Sequence, residues 1–266
     1  MNTNNYAELA EKARRIRINA LKAIHAAKSG HPGGSLSSAD VLATLYFEVL
    51  NIDPKDPKKA DRDKFIISKG HAVPALYAAL GERGFYDVDD MMTLRQVDSR
   101  FQGHPNMHKV PGIEMSTGSL GQGFSAAVGM AIAGKIDNNP GRVYVLAGDG
   151  ELQEGIVWEA AMQAAHRHLD NLVAIVDLNG LQIDGKVSDV KEVGPVDEKF
   201  KSFGWNVIVV DGHSYDELIR AFAEAKECKT APTAIIAHTH KGKGVSFMED
   251  NAGWHGKAPG DEELAT

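Results

Sequence analysis

Leu9, Ala13, Ile16, Ala20, Ile24 and Ala27 recur at steps of three and four with Arg and Lys opposite, a stripe that predicts a surface helix over residues 6–28. Val41, Leu42, Leu45, Tyr46, Val49 and Leu50 form a second helical stripe. Ser37 or Ser38 offers its N-cap, and Asp53-Pro54 stops it. Pro74 can open a third helix through Leu80, and Asp87 can cap a fourth through Met91 and Leu94. The first hundred residues therefore read as helices joined by Gly-His loops.

From residue 142 the period changes. Short β-branched runs (142–147, 172–176, 206–210, 233–237) alternate with helical ones starting near Gln153, Val196 and Ser214. Ser214 and Glu217 have the spacing of a capping box. The strands are apolar on both faces, as parallel strands covered by helices on two sides must be. The expected fold is α/β, a parallel sheet with helices on both faces behind a helical N-terminal segment. No repeat or linker divides the chain, so 1–266 is expected to be a single domain, with helices and Gly-His loops over 1–110 and a βαβ core over 111–266. Each strand ends in polar and Gly residues: Gly148-Asp149-Gly150, Asp177-Leu178-Asn179, Asp211-Gly212-His213 and His238-Thr239-His240-Lys241-Gly242-Lys243-Gly244. Ligands in open α/β sheets bind at that edge.

Composition narrows the classes of function. The net charge is -7 with dispersed Lys and Arg, which argues against DNA or RNA as a partner. Glu8 and Glu11 stand where a signal peptide would be apolar, and no run approaches the ~18 apolar residues of a membrane span. A cytoplasmic protein without a membrane partner is expected. The one cysteine, Cys228, excludes an internal disulfide and reads as a partly buried thiol.

Residues 129–135 approximate a phosphate-binding loop, but Ile136 replaces the metal-binding Ser or Thr and no strand precedes them, so a small-residue helix made for close packing is the better reading. Ser116-Thr117-Gly118-Ser119-Leu120-Gly121-Gln122-Gly123 precedes a helix starting near Phe124. Its backbone N–H groups can face an anion, or the segment is a tight turn that admits helix packing. Asp149 and Asn179 end neighbouring strands, and two hard oxygen donors with little charge suit Mg²⁺ completed by phosphate oxygens. Taken singly, an Asp-Gly turn and a capping Asn would explain them. Gly-His occurs four times, at 30–31, 70–71, 103–104 and 212–213, where 27 Gly and 11 His predict roughly one. His31, His71 and His104 fall in Gly- and Pro-containing loops that can present an imidazole for proton transfer on alcohols and carbonyls. His25, His108, His166 and His168 read as solvated or capping histidines.

These motifs together resemble the thiamine diphosphate enzymes, and among them the amino-terminal half of transketolases. Ser-Gly-His-Pro-Gly, Lys-Gly-His, Gly-His-Pro, Thr-Gly-Ser-Leu-Gly-Gln-Gly and Gly-Asp-Gly-x-x-x-Glu-Gly occur in the family's order, and the likeness covers residues 15–260. Leu178 departs from a first Asn found in many relatives, while the metal-binding second Asn is kept. The resemblance implies that Asp149, Asn179 and the carbonyl of Leu181 bind Mg²⁺. It implies that Gly150 approaches the diphosphate with His71 and His255 nearby, that Gly118, Ser119 and Leu120 line the cofactor, and that Glu154 supports the site. His31 and His104 would face the sugar as catalytic residues, with His255 sharing the role.

The resemblance also implies a missing half: a pyrimidine-binding domain carrying the glutamate that activates the cofactor. The chain is therefore expected to be the small, diphosphate-binding subunit of a split transketolase, active only with a C-terminal subunit, as a heterotetramer acting on sugar phosphates, with an excised fragment of a longer transketolase as the lesser alternative. Alternatives are a related synthase of the deoxyxylulose phosphate type that uses pyruvate, a transketolase specialised for an unusual ketose, and a non-catalytic regulatory relative. Retention of Asp149, Asn179 and the loop histidines argues against the last.

Overall fold

The computed structural model describes residues 3–266. Its centre is a five-stranded, all-parallel sheet in the order β1-β2-β3-β7-β6, formed by Lys64–Ile67, Val143–Gly148, Leu172–Leu178, Thr233–His238 and Asn206–Asp211 respectively. The order reverses between β3 and β7, so a crevice is expected at their carboxyl ends. A two-residue hairpin, β4 (Leu181–Gln182) and β5 (Gly185–Lys186), follows β3 and folds over that edge.

Alternation along the strands explains why they read as apolar throughout. Tyr144, Leu146, Val173, Ile175 and Ile235 pack with α1 (Thr3–Ala27), α3 (Ala39–Thr44), α4 (Val73–Arg83) and α9 (Tyr215–Glu227). Val143, Val145, Ala147, Ala174, Val176 and Ile236 point the other way, against α5 (Gln122–Ile136), α6 (Gly155–His166) and α8 (Val196–Ser202). Both faces are covered, so truncating Ile175 or Val145 to Ala should cost roughly 2–5 kcal/mol at either layer.

The four strands and three helices expected after residue 142 lie within one or two residues of their expected bounds. The first hundred residues differ more. Lys64–Ile67 is a strand, β1, paired with β2, where only helices and loops were expected. An extra helix, α2 (Pro32–Ser37), opens on Pro32 ahead of the expected one, and Ser38 takes the N-cap position of α3, which carries Val41 and Leu42, with Ser37 just before it. Their hydroxyls cap nothing. Ser38 Oγ donates back to the Gly34 carbonyl at 2.7 Å, and Ser37 Oγ donates to Asp177 at 2.6 Å. Asp87 caps as expected, but a 3-10 segment, Val88–Thr93, follows it. Ser214 caps α9 at the Glu217 amide, whereas the Glu217 carboxylate accepts from Asp211 N, which leaves the box half closed. Gly129 faces open space in α5, so the small residues of 129–135 do not mark a close helix contact at that position. A short helix, α7 (Val187–Lys191), and a terminal one, α10 (Asp261–Ala265), complete the α-helices.

Candidate active site

The register aligns the carboxyl ends of the strands: Gly148 pairs with Asp177, Asp177 with Ala237, and Leu178 with His238. The residues immediately after those ends converge on a cavity of about 270 Å³ lined by His31, Lys69, His71, Asp149, Asn179, Leu181, Lys241 and His255, with Gly118, Leu120 and Gly150. A more open cavity of about 680 Å³ adjoins it and shares Asp149, Asn179 and Leu181. His31, His71 and His255 line only the smaller one, which therefore gathers the titratable side chains.

Four loops bring the imidazoles together. The ring of His31 lies 5.2 Å from that of His71, 5.3 Å from His255 and 6.3 Å from His104, and those of His71 and His255 are 5.0 Å apart. His104 is exposed at the mouth, against Gly118, where a Cβ would come within 2.9 Å of its ring at a backbone φ of +146°. Only glycine fits there. Gly70 is equally constrained, since a Cβ would meet the Gly118 amide at 2.8 Å. Burial, helped by Arg95, pushes His31 down to about 4. Burial and Lys241 push His255 to about 3, and burial with Lys69 holds His71 well below the imidazole range. His104 is lowered by burial and Arg95. These rings are therefore neutral at pH 7, each with one donor and one acceptor nitrogen. Nδ1 of His31 and Nδ1 of His255 are buried with no partner among the described residues.

Asp149 is buried at the start of the 3-10 turn after β2. It accepts from Gly150 N at 2.8 Å and Gly180 N at 2.5 Å. Burial and the nearby Asp177 nevertheless push its carboxyl up to about 6. Asn179 Oδ1 accepts from Leu181 N at 3.1 Å, and the Leu181 carbonyl accepts from Lys241 Nζ at 3.2 Å. Burial and Lys69 lower the Lys241 ammonium to about 8.

The sequence reading missed several residues here. Lys69 and Asp177 form a fully buried ion pair, joined by Ser37 and Thr239 hydroxyls on the same carboxylate. Burial pushes Asp177 up, but Lys69 outweighs it and holds the group below the carboxylate range. Glu151 is buried and accepts from Ser68 Oγ, Gly121 N and Gly148 N, so the anion at the start of α5 is the protein's own carboxylate. The Ser68 hydroxyl also takes the Phe124 amide. The loop 116–123 therefore has part of its donor set already occupied, while Gly118 and Leu120 still border the cavity. Ser119 and Glu154 are exposed and outside the lining; Glu154 takes the N-cap position of α6 without a side-chain capping bond, and Glu151 turns inward. A sequence signal existed for Lys69, in Lys-Gly-His, and for Lys241, at the end of β7. Asp177 showed only as a polar strand end, with nothing to indicate its pairing, and nothing marked Glu151.

Neutral imidazoles, two ammonium groups and hard oxygens gather at one sheet edge, a chemistry suited to a polar, anionic ligand such as a diphosphate. Comparison with known proteins agrees with that class. The family model described as transketolase, thiamine diphosphate binding domain, matches residues 9–266. The 6-deoxy-6-sulfo-D-fructose transketolase subunit of Clostridium sp. (strain MSTE9) is 45% identical, over 93% of this chain and 90% of its own length. One of the apulose-4-phosphate transketolase subunits of Phocaeicola vulgatus is 43% identical, over 96% of this chain and 90% of its own length. Human transketolase is 45% identical over 94% of this chain, which spans only 40% of the human protein. The solved transketolase of Campylobacter jejuni superposes with a TM-score of 0.92 at 36% identity, over 99% of this chain and 42% of that one.

The chain belongs to the transketolase family, as its thiamine diphosphate-binding domain. It spans about nine-tenths of the separate-subunit relatives and about two-fifths of the full-length transketolases. No helix among the described residues is long and apolar enough to cross a membrane.

Proposed function

We propose that the chain is the diphosphate-binding subunit of a two-chain, cytoplasmic transketolase, which moves a two-carbon ketol unit from a ketose phosphate to an aldose phosphate with thiamine diphosphate and Mg²⁺. The observation that carries this reading is the convergence of Asp149, Asn179 and the Leu181 carbonyl with His31, His71 and His255 on one cavity. The partnerless Nδ1 atoms of His31 and His255 fit a site made for a polar ligand, since buried polar atoms are otherwise paired. So does Lys241 Nζ on the Leu181 carbonyl, a cation resting on an oxygen that Mg²⁺ would take.

When bound, thiamine diphosphate supplies a carbon nucleophile and an electron sink beside a carbonyl. Asp149, Asn179 and Leu181 O would hold the metal. Lys69, Lys241 and His71 would face the diphosphate, with Gly118, Leu120 and Gly150 bordering it. His31 and His255 would give and take protons at the sugar oxygen that changes during carbon–carbon cleavage and formation, because a neutral imidazole can do both. His104, at the mouth, would donate to the donor's terminal hydroxyl and carbonyl oxygens. The named substrates of the two separate-subunit relatives, a sulfonated ketose and apulose 4-phosphate, support a ketose carrying a terminal anion as the substrate class.

In this reading the activating glutamate belongs to a second chain with a pyrimidine-binding domain, two copies of each forming a heterotetramer. A steady-state ketol-transfer assay on the purified chain, with and without that partner, tests it. Activity should need both. Equal turnover by the 266-residue chain alone would refute the split-enzyme reading, and turnover with pyruvate but not ketose donors would favour the synthase.

A further inference from the structure

The fourth Gly-His pair, Gly212-His213, lies outside the cavity but is tied to it by the loop that carries Lys241. His213 follows β6 and bridges two elements. Its Nδ1 lies 2.6 Å from Asp40 Oδ2 on α3, and its Nε2 accepts the backbone N–H of His240 at 2.9 Å. Asp40 is ionised: it takes two bonds from Arg17 and one from the Tyr215 hydroxyl. A carboxylate only accepts, so Nδ1 must carry the proton, and Nε2 must be bare to receive the His240 amide. The surroundings therefore select one neutral tautomer.

His240 is the second residue of the loop 239–250. The two rings stack at 5.8 Å with 11° between planes, and His240 Nδ1 meets Asp250 at 2.9 Å. Asp250 N returns to the Lys241 carbonyl, and Gly242 N reaches the Gly33 carbonyl, close in the chain to His31. Lys241 is the next residue, its ammonium in the cavity. We propose that His213 is a positioning residue: it anchors the His240 amide to the buried Asp40 carboxylate and so holds Lys241 where the cofactor's anion binds. The anchoring stands on geometry alone. Its consequence for the anion rests on the functional reading above.

Two substitutions separate the two nitrogens. His213→Asn keeps a donor near Nδ1 for Asp40 but is too short to reach His240. His213→Gln places a carbonyl oxygen near Nε2 and gives up the contact with Asp40, whose charge Arg17 still neutralises and to which the Tyr215 hydroxyl still donates. Hydrogen exchange on the full chain should show the His240 amide opening about tenfold faster in His213→Asn and within about threefold of wild type in His213→Gln. Calorimetry with inorganic diphosphate and Mg²⁺ should show a parallel loss of about five- to tenfold in the Asn variant and near-retention in the Gln variant. ¹⁵N imidazole spectra of the unsubstituted chain need no folding variant and should report His213 as the Nδ1–H tautomer.

An Nε2–H tautomer overturns the proposal, as does equal behaviour of the Asn and Gln variants in exchange. If exchange separates the variants but diphosphate binds neither them nor wild type, the anchor holds and the cofactor reading falls. If exchange separates them and diphosphate affinity is the same in all three, the link to Lys241 is refuted.

Discussion

Two buried polar clusters, one at Asp40 and one at Asp149, use similar residue types to opposite effect. Around Asp40, Arg17, His213 and Tyr215 fill both carboxylate oxygens, and although burial pushes its carboxyl up, these partners together hold it at about 2. Around Asp149, the hydrogen-bond donors among the described residues are two backbone amides, burial wins, and the carboxyl stands near 6 beside imidazoles whose Nδ1 atoms have no partner there. A satisfied cluster stabilises the fold. An unsatisfied one is stabilised when a ligand with the missing charges arrives, and a divalent cation with a diphosphate is such a ligand.

The largest expected difference is in stability. Asp40→Asn leaves Arg17 and His213 without their anion and should destabilise the chain by roughly 3–5 kcal/mol in denaturant titrations. Loss of less than about 1 kcal/mol would mean that the Asp40 cluster is no better satisfied than the cavity.

Acidification should act next, through the histidines. His31, His71 and His255 have folded values below the unfolded 6.5, so below neutrality the unfolded chain binds more protons than the native one. Their stability contribution is complete above 6.5 and is lost as pH falls toward about 4 and about 3 for His31 and His255. Melts of the cofactor-free chain should show a loss of roughly 2–4 kcal/mol from pH 7 to pH 5. A His31→Asn/His255→Asn variant should flatten that slope, and an unchanged slope would show that these rings are not buried neutral.

Of the partners that separate the clusters, few were legible in the sequence. Strands β2, β3, β6 and β7 were, because runs such as 172–176 are apolar on both faces. Strand β1 was not, since four residues beginning with Lys64 carry no period, and their strand identity comes from pairing with Val143–Leu146. The loop histidines were visible because Gly and His recur together. The roles of Asp177, Glu151 and Ser37 were hidden for a physical reason, although Asp177 showed as a polar strand end and Ser37 as a candidate cap. Their meaning lies in partners such as Lys69, 108 positions away from Asp177, which only the sheet register brings close. Glu154 shows the converse: the family pattern marked it, while on this chain it is Glu151 that is buried and Glu154 that is exposed.

His104→Ala should reduce use of ketose donors about ten- to a hundredfold, the loss of one hydrogen bond to the reacting fragment, and leave cofactor affinity within about twofold. For His71→Ala the order reverses, with cofactor affinity falling first. Titrations showing the same pattern for both would break the division between the mouth and the floor of the cavity.

The smallest effect is the most counterintuitive. The penalty for ionised Asp149 is absent below the ordinary 3.8, grows as pH rises, and is complete above about 6. Asp149→Asn removes it but gives up one amide contact, so the cofactor-free chain should gain about 1 kcal/mol at about pH 7.5 and nothing at about pH 4. A loss near neutral pH would place Asp149 with the satisfied carboxylates.

The central claim, that the Asp149 cluster is completed by a cation and a diphosphate together, is tested most directly by calorimetry. Thiamine diphosphate is titrated into the assembled protein with Mg²⁺ and with divalent ions removed, for the unsubstituted chain and for Asp149→Asn. The account predicts at least a roughly tenfold loss of affinity on removing Mg²⁺ from the unsubstituted protein, and no Mg²⁺ dependence in Asp149→Asn. Equal affinity with and without Mg²⁺ in the unsubstituted protein, or undiminished coupling in Asp149→Asn, would contradict it.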